Sequence, residues 1–254
     1  MAGAVRPTRV RRRPMPPEAT HRPVVLLTGA TGHLGHVASG RFARDGARLV
    51  LVGTNRRRLE AAATEAGLAD DAWIPVIGDL RDPDAARAAA GEAMKRFGRI
   101  DVLVHLIGGW AGGTAVVDLD PTEVRDLLDQ HLWTTLNILQ AVVPGMIERR
   151  YGRVLGVTTP FADRPAAKGA SYAIAKGAEE VLFRTLARET AGHGVTANLV
   201  VVRTIDVQHA RETDPSPRNA SHATPEEIAD VLAFLASPAS RAITGALVPL
   251  DGRG

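Results

Sequence analysis

Apolar residues gather along the chain in short continuous runs, and each run is followed by a segment whose apolar positions fall at helical spacing. Val24-Val25-Leu26-Leu27 is the first run; Ala47 to Gly53, Trp73 to Ile77, Ile100 to Ile107, Arg153 to Thr158, Val195 to Val201 and Ala246 to Leu250 follow. Runs this short, apolar at successive positions, predict strands buried on both faces. His33 to Asp45, Asn55 to Ala66, Asp82 to Phe97, Pro121 to about Arg149, Ser171 to Ala191 and Thr224 to about Ala236 predict helices. Thr224-Pro225-Glu226-Glu227 reads as a capping box with proline in the first turn. Pro249 cannot donate to a ladder and suits an edge strand. Strands alternating with helices give the fold class: α/β, a doubly wound parallel sheet with helices on both faces. Ligands of such sheets bind beyond the carboxyl ends of the strands, which gathers the loops after Leu27, Val52, Ile77, Leu106, Val157 and Val201 around one crevice.

The first of those loops holds Gly29, Gly32 and Gly35. Glycines there allow a tight turn and leave no side chain between the backbone and a phosphate, and the free N–H groups of the next helix face the anion. A second pattern lies downstream. Tyr172 and Lys176 stand four apart at the start of a helix, hence on one face. An ammonium beside a phenol stabilises the phenolate, so Tyr172 can exchange a proton with a carbonyl oxygen as hydride moves to or from carbon. Thr159, at the end of the fifth strand, offers a hydroxyl to the same oxygen. The bland alternative is a helix-surface Tyr and Lys packing their apolar stems.

Composition narrows the picture. At 254 residues with 45% hydrophobic content, the chain suits one large domain, and no apolar run approaches the roughly 20 residues that cross a bilayer, so no membrane role is expected. The absence of cysteine removes disulfides and thiolate chemistry and suits a cytoplasmic protein. The formal charge of +3 arises in residues 1–22, where Arg6, Arg9, Arg11, Arg12, Arg13 and Arg22 face only Glu18. With four prolines and no apolar stretch, that segment reads as a disordered basic tail ahead of a catalytic domain over 23–254. The body is not basic, so no nucleic acid is expected as a partner. His33 and His36 lack a third ligand and a cysteine, so no metal site is expected.

From about Val24 to Gly252 the chain resembles the short-chain dehydrogenase/reductases, in a single-domain form with atypical motifs. The resemblance rests on the glycine turn, Asp79-Leu80 after the third strand, the glycine loop after the fourth, Thr159 thirteen residues before Tyr172, and Tyr172-Ala-Ile-Ala-Lys176. It implies a Rossmann-type sheet of about seven strands, a nicotinamide cofactor, and a homodimer or homotetramer in which the helices Pro121–Arg149 and Ser171–Ala191 pack between subunits. It assigns Tyr172, Lys176 and Thr159 to catalysis. It assigns Gly29, Thr31, Gly32, His33, Leu34, Gly35, Thr54, Asn55, Arg56, Asp79, Leu80, Ile107, Gly108 and Ile205 to the cofactor.

Departures from the family pattern bear on the substrate. His105-Leu106-Ile107-Gly108 replaces Asn-Asn-Ala-Gly, and Val202-Arg203 replaces Pro-Gly. His131 stands for the helix asparagine that helps organise a relay water; it serves that relay or is a buried histidine satisfied by a carbonyl. Arg203 meets an anionic substrate group or cofactor, or faces solvent. Trp110 and Phe161 wall the crevice for an apolar or aromatic carbonyl compound, or pack in the core. The second strand ends in Gly53-Thr54-Asn55 and three arginines, with no carboxylate to bind a ribose 2′-hydroxyl, which favours NADPH over NADH unless the arginines only face solvent. The polar loop from Asp206 to Ala223 is expected to be mobile and to cover the site. The expected function is an NADPH-dependent ketoreductase. The rivals are a dehydratase, epimerase or cyclase using Tyr172 without net redox, and a non-catalytic dinucleotide-binding protein.

Overall fold

The computed structural model describes residues 22–252. Of the predicted basic tail, residues 1–21 lie outside the described residues; Arg22 donates from Nε to Gly46 O at 3.0 Å. Seven strands form one sheet: β1 (Val24–Thr28), β2 (Arg48–Gly53), β3 (Trp73–Ile77), β4 (Val102–His105), β5 (Gly152–Thr158), β6 (Val195–Val202) and β7 (Leu247–Leu250). Every pairing is parallel, in the order β3-β2-β1-β4-β5-β6-β7. The helices are α1 (His33–Arg44), α2 (Arg56–Glu65), α3 (Pro83–Phe97), α4 (Pro121–Leu128), α5 (Thr134–Arg149), α6 (Ala170–Glu189), α7 (Ala210–Thr213) and α8 (Pro225–Ala236).

Side chains alternate across a strand, so a run apolar at every position supplies both faces of the sheet. Val24 and Leu26 pack with Ala86, Ala93 and Phe97 of α3, Ile138 and Met146 of α5 and Phe183 of α6. Val25 and Leu27 pack with Ala38 and Phe42 of α1, Leu59 of α2 and Ile228 and Leu232 of α8. The order reverses between β1 and β4, and the loops after these strands open the crevice there.

Helix ends follow their caps. The Asp82 carboxylate accepts from Asp84 N at 2.8 Å ahead of α3, whose C-cap Gly98 has φ 77°. The capping box at α8 is complete: Glu227 N donates to Thr224 Oγ1 at 3.3 Å, and Thr224 N to Glu227 Oε2 at 3.0 Å. Three expectations need correction. The helix expected over Pro121 to Arg149 is split by a π-turn, Asp129–Trp133, between α4 and α5. Just beyond it the Thr134 and Thr135 hydroxyls donate to Gln130 O and His131 O, the kind of back-bonding that bends a helix. The strand expected over Ile100 to Ile107 is shorter, Val102–His105, and just past it Leu106 N is shared between Thr28 O at 3.3 Å and the Thr28 hydroxyl at 3.2 Å. The Asp206–Ala223 loop is more ordered than a polar composition suggests: an Ile205–Ala223 bridge closes its base, and the Asp206 carboxylate accepts from Ala210 N and Arg211 N at the start of α7. As expected of Pro249, β7 lies at the sheet edge. Among the described residues no helix is long and apolar enough to cross a membrane.

Candidate active site

At the β1–α1 turn, Gly29 has φ +70° and its backbone lies so close to the β4 loop that a Cβ would stand 2.6 Å from Leu106 O. A Cβ on Gly35 would fall 2.3 Å from Gly29 O, so this glycine lets α1 close onto the turn. Gly32, the N-cap of α1, meets nothing nearer than 3.5 Å and leaves its backbone open to an approaching group. No acidic residue stands in the first turn of α1, so nothing there offsets the positive end of the helix.

The turn forms one end of a cleft of about 550 Å³ that runs across the β1–β4 switch to Tyr172 and Lys176 on α6. Gly29, Gly32, His33, Leu34 and Gly35 line its first end. Ile107, Gly108, Trp110 and His131 line its middle, and Phe161, Arg203 and Ile205 its far side. A backbone cradle at a helix start, a switch point and a phenol–ammonium pair in one cleft of this size fit a dinucleotide.

Behind the cleft lies a buried polar network. The Thr134 hydroxyl spends its proton on Gln130 O, so at 3.3 Å it accepts from His105 Nε2, and His105 Nδ1 accepts from the Thr28 hydroxyl at 2.9 Å. His105 is neutral in this arrangement; burial pushes it down to about 4. Gly108 is required beside it, since a Cβ there would meet His131 Cε1 at 2.4 Å. His131 is buried, with Nε2 2.9 Å from Gly109 O and its ring edge-on to Tyr172 at 5.7 Å between centroids. His131 thus has the backbone carbonyl partner of the second reading for Nε2, and it lines the cleft.

Lys176 Nζ donates to Val157 O at 2.8 Å and to Glu179 Oε2 at 2.7 Å. The same Glu179 oxygen stands 3.7 Å from His131 Nδ1, an ion-pair distance beyond hydrogen-bond reach. Glu180, the next residue, turns to the Thr158 hydroxyl at 2.8 Å. Burial raises the Tyr172 phenol above its ordinary value, against the pull of Lys176 and with the help of Glu179.

Some expected residues fall elsewhere. Thr159 is buried, its hydroxyl accepts from Phe161 N at 3.4 Å as a cap, and its neighbour Thr158 lines the cleft instead. Thr54, Asn55 and Arg56 are exposed; Asn55 caps α2 by accepting from Arg58 N, and Arg56 pairs with Glu60 at 3.7 Å. Of the three arginines, Arg58 borders a neighbouring hollow with Thr31, His33 and His36. There His36 Nδ1 meets Glu65 at 2.8 Å. Asp79 grips the Arg81 guanidinium, and Leu80 is core. Trp110 is 71% exposed while lining the cleft, which removes the core reading for it. Arg203 lines the cleft and donates to Ser221 Oγ at 3.2 Å. Sequence reasoning missed Glu179, although a carboxylate three residues after Lys176 on one helix face was there to be read. It had no means of preferring Thr158 to Thr159.

A family model described as enoyl-(acyl carrier protein) reductase matches residues 29–252. The chain is 31% identical over 231 residues to (2S)-[(R)-hydroxy(phenyl)methyl]succinyl-CoA dehydrogenase subunit BbsC of Thauera aromatica, covering 87% of this chain and 90% of that one. It is 28% identical over 237 residues to the 3-oxoacyl-[acyl-carrier-protein] reductase FabG of Thermotoga maritima, covering 90% and 96%. A crystal structure of 3-ketoacyl-(acyl-carrier-protein) reductase from Brucella melitensis complexed with NADH superposes with a TM-score of 0.82 at 25% identity, over 91% of this chain and 97% of that one. The glycine cradle, the switch-point cleft and these matches over most of the chain agree: the protein belongs to the short-chain dehydrogenase/reductases, the NAD(P)-dependent oxidoreductase family.

Proposed function

We propose that the protein is an NADPH-dependent ketoreductase acting on an apolar or aromatic carbonyl compound, with Tyr172 as its proton donor. The observation that carries this reading is the single cleft joining the Gly29–Gly35 turn to Tyr172 and Lys176. The dinucleotide, when bound, supplies or accepts the hydride. Gly29, Gly32, His33, Leu34 and Gly35 cradle its phosphates, and Ile107, Gly108 and Ile205 flank its nicotinamide half. Tyr172, a phenol that is protonated at neutral pH and that burial holds above its ordinary value, gives its proton to the carbonyl oxygen as that oxygen gains charge. Lys176 keeps one N–H for the cleft after its bonds to Val157 and Glu179, enough to hold a ribose hydroxyl. The Thr159 hydroxyl, which accepts from Phe161 N and keeps its own proton, steadies the substrate oxygen, and His131 passes a proton back to Tyr172 after it has given its own.

Trp110 and Phe161 supply an apolar wall, and Arg203 a cation at its rim. The preference for NADPH is supported by the lack of a carboxylate at the end of β2 and by Arg58 beside Thr31 and His33, where a 2′-phosphate would find a guanidinium. The subunits associate through the face of α6 that carries Ile174 and Val181, seven residues apart and both exposed.

The test is to incubate the full chain with saturating NADPH and a panel of ketones and quinones while following nicotinamide absorbance. Substrate-dependent oxidation is expected, with a higher kcat/KM for NADPH than for NADH. The Tyr172→Phe variant is expected to lose turnover by about 10²- to 10⁴-fold, the range for removing a general acid, with NADPH binding retained. Product formed without cofactor consumption would favour a dehydratase or epimerase, and an undiminished Tyr172→Phe rate would remove the mechanism.

A further inference from the structure

Glu179 is a buried carboxylate, 1% exposed, that the mechanism above leaves unused. Tyr172, Lys176 and Glu179 follow one another at spacings of four and three along α6, so they share a face that descends from the cleft into the interior. One oxygen, Oε2, accepts from the Lys176 ammonium at 2.7 Å and stands 3.7 Å from His131 Nδ1. Lys176 and His131 are in turn the polar neighbours of Tyr172 in this network, the one through its charge and the other through its edge-on ring.

We propose that Glu179 is a positioning residue that matches the charge of Lys176, so that Tyr172 faces a neutral pair and the site is set for giving a proton to a carbonyl rather than taking one from an alcohol. This rests on Tyr172 being the acid of the reaction.

Stability alone does not account for the pair. A buried ion pair repays little of its desolvation, and an apolar pair of similar volume is often as stable or more so. The remaining groups around Glu179 do not supply the counter-charge: His105 of β4 is held neutral, and Glu180 is turned to Thr158. Burial works against a charged Glu179, yet the Lys176 ammonium, with His131 beside it, carries it below the ordinary carboxylate range. Its negative charge pushes the Tyr172 phenol up while Lys176 pulls it down. Removing the carboxylate leaves the ammonium unopposed, so the phenol should ionise at lower pH.

The chain has only two tyrosines, Tyr151 and Tyr172, so tyrosinate absorbance against a Tyr172→Phe blank reads Tyr172 directly, with no need for a substrate. In Glu179→Gln, the Tyr172 titration is expected to fall by about one pH unit, the effect of exposing one nearby charge. In Lys176→Gln it should rise, because the carboxylate is then unopposed. The double variant should return close to the starting value, and Glu179→Asp should restore it in part. In turnover, Glu179→Gln should move both the acid limb of alcohol oxidation and the alkaline limb of carbonyl reduction to lower pH. A Tyr172 titration that is unchanged or raised in Glu179→Gln overturns the proposal. If that variant does not fold, Glu179→Asp carries the test: a smaller fall in the Tyr172 titration supports the proposal, and an unchanged or raised one overturns it. A protein that reduces no carbonyl yet shows these shifts keeps the coupling and loses only the assigned reaction.

Discussion

At the residue scale the histidines show how burial selects a protonation state. His105 has each ring nitrogen matched to a hydroxyl, one accepting and one donating, an arrangement that needs the neutral ring. Its folded-state value near 4 lies below the ordinary 6.5, so as pH falls the unfolded chain takes the proton first. The stability this gives is complete above pH 6.5 and is lost progressively towards pH 4. By pH 5 the loss should be about 2 kcal/mol, read as a drop in urea midpoint that His105→Asn flattens. Tyr172 and Lys176 were nameable from spacing alone, because helix periodicity fixes which residues share a face, and Thr159 from its place at the end of a strand. Glu179 was not named, because reading the helix for a known pair passes over a third member. Nor does spacing reveal that Thr159 spends its hydroxyl as a cap on Phe161 N while Thr158 meets the cleft, since that choice depends on the backbone beyond the strand.

At the element scale, boundaries were legible wherever local chemistry sets them. Asp82-Pro83 and Thr224-Pro225 begin helices because their side chains accept the first free N–H groups. The π-turn at Asp129–Trp133 was not legible, since the apolar pattern runs through it unbroken and one extra residue per turn leaves no compositional mark. It lies where His131 reaches the cleft, in keeping with the placement of such turns at working sites. The β1–α1 turn behaves in the opposite way: its glycines announce it. Gly35→Ala would drive a Cβ to 2.3 Å from the Gly29 carbonyl, a backbone atom that cannot swing aside. We expect a stability loss of about 1–3 kcal/mol, the range for overpacking, with a larger fall in affinity for the nicotinamide dinucleotide because the cradle itself must open. Urea titration and cofactor fluorescence separate the two effects.

For the whole molecule, the class of fold followed from short apolar runs between helices, and the two faces of β1 divide its side chains between two cores as the run predicts. What the sequence could not order was the sheet itself, because the reversal between β1 and β4 comes from crossovers and not from any local signal. The exposed Ile174 and Val181 make the proposed assembly testable: if it forms through them, Val181→Glu should shift the protein towards smaller species in sedimentation. Charge on an otherwise apolar face opposes its burial between subunits. The β1–β4 seam has a consequence for how the chain folds. Its contacts, Val24 N with Asp101 and Thr28 with His105, each join positions 77 apart in sequence, whereas β1 reaches β2 through a single short helix. Closing so long a loop is entropically costly and slow, so the seam is a late event in assembly. A dinucleotide laid across it would add its own binding free energy to that join and make the loaded protein harder to open than the empty one.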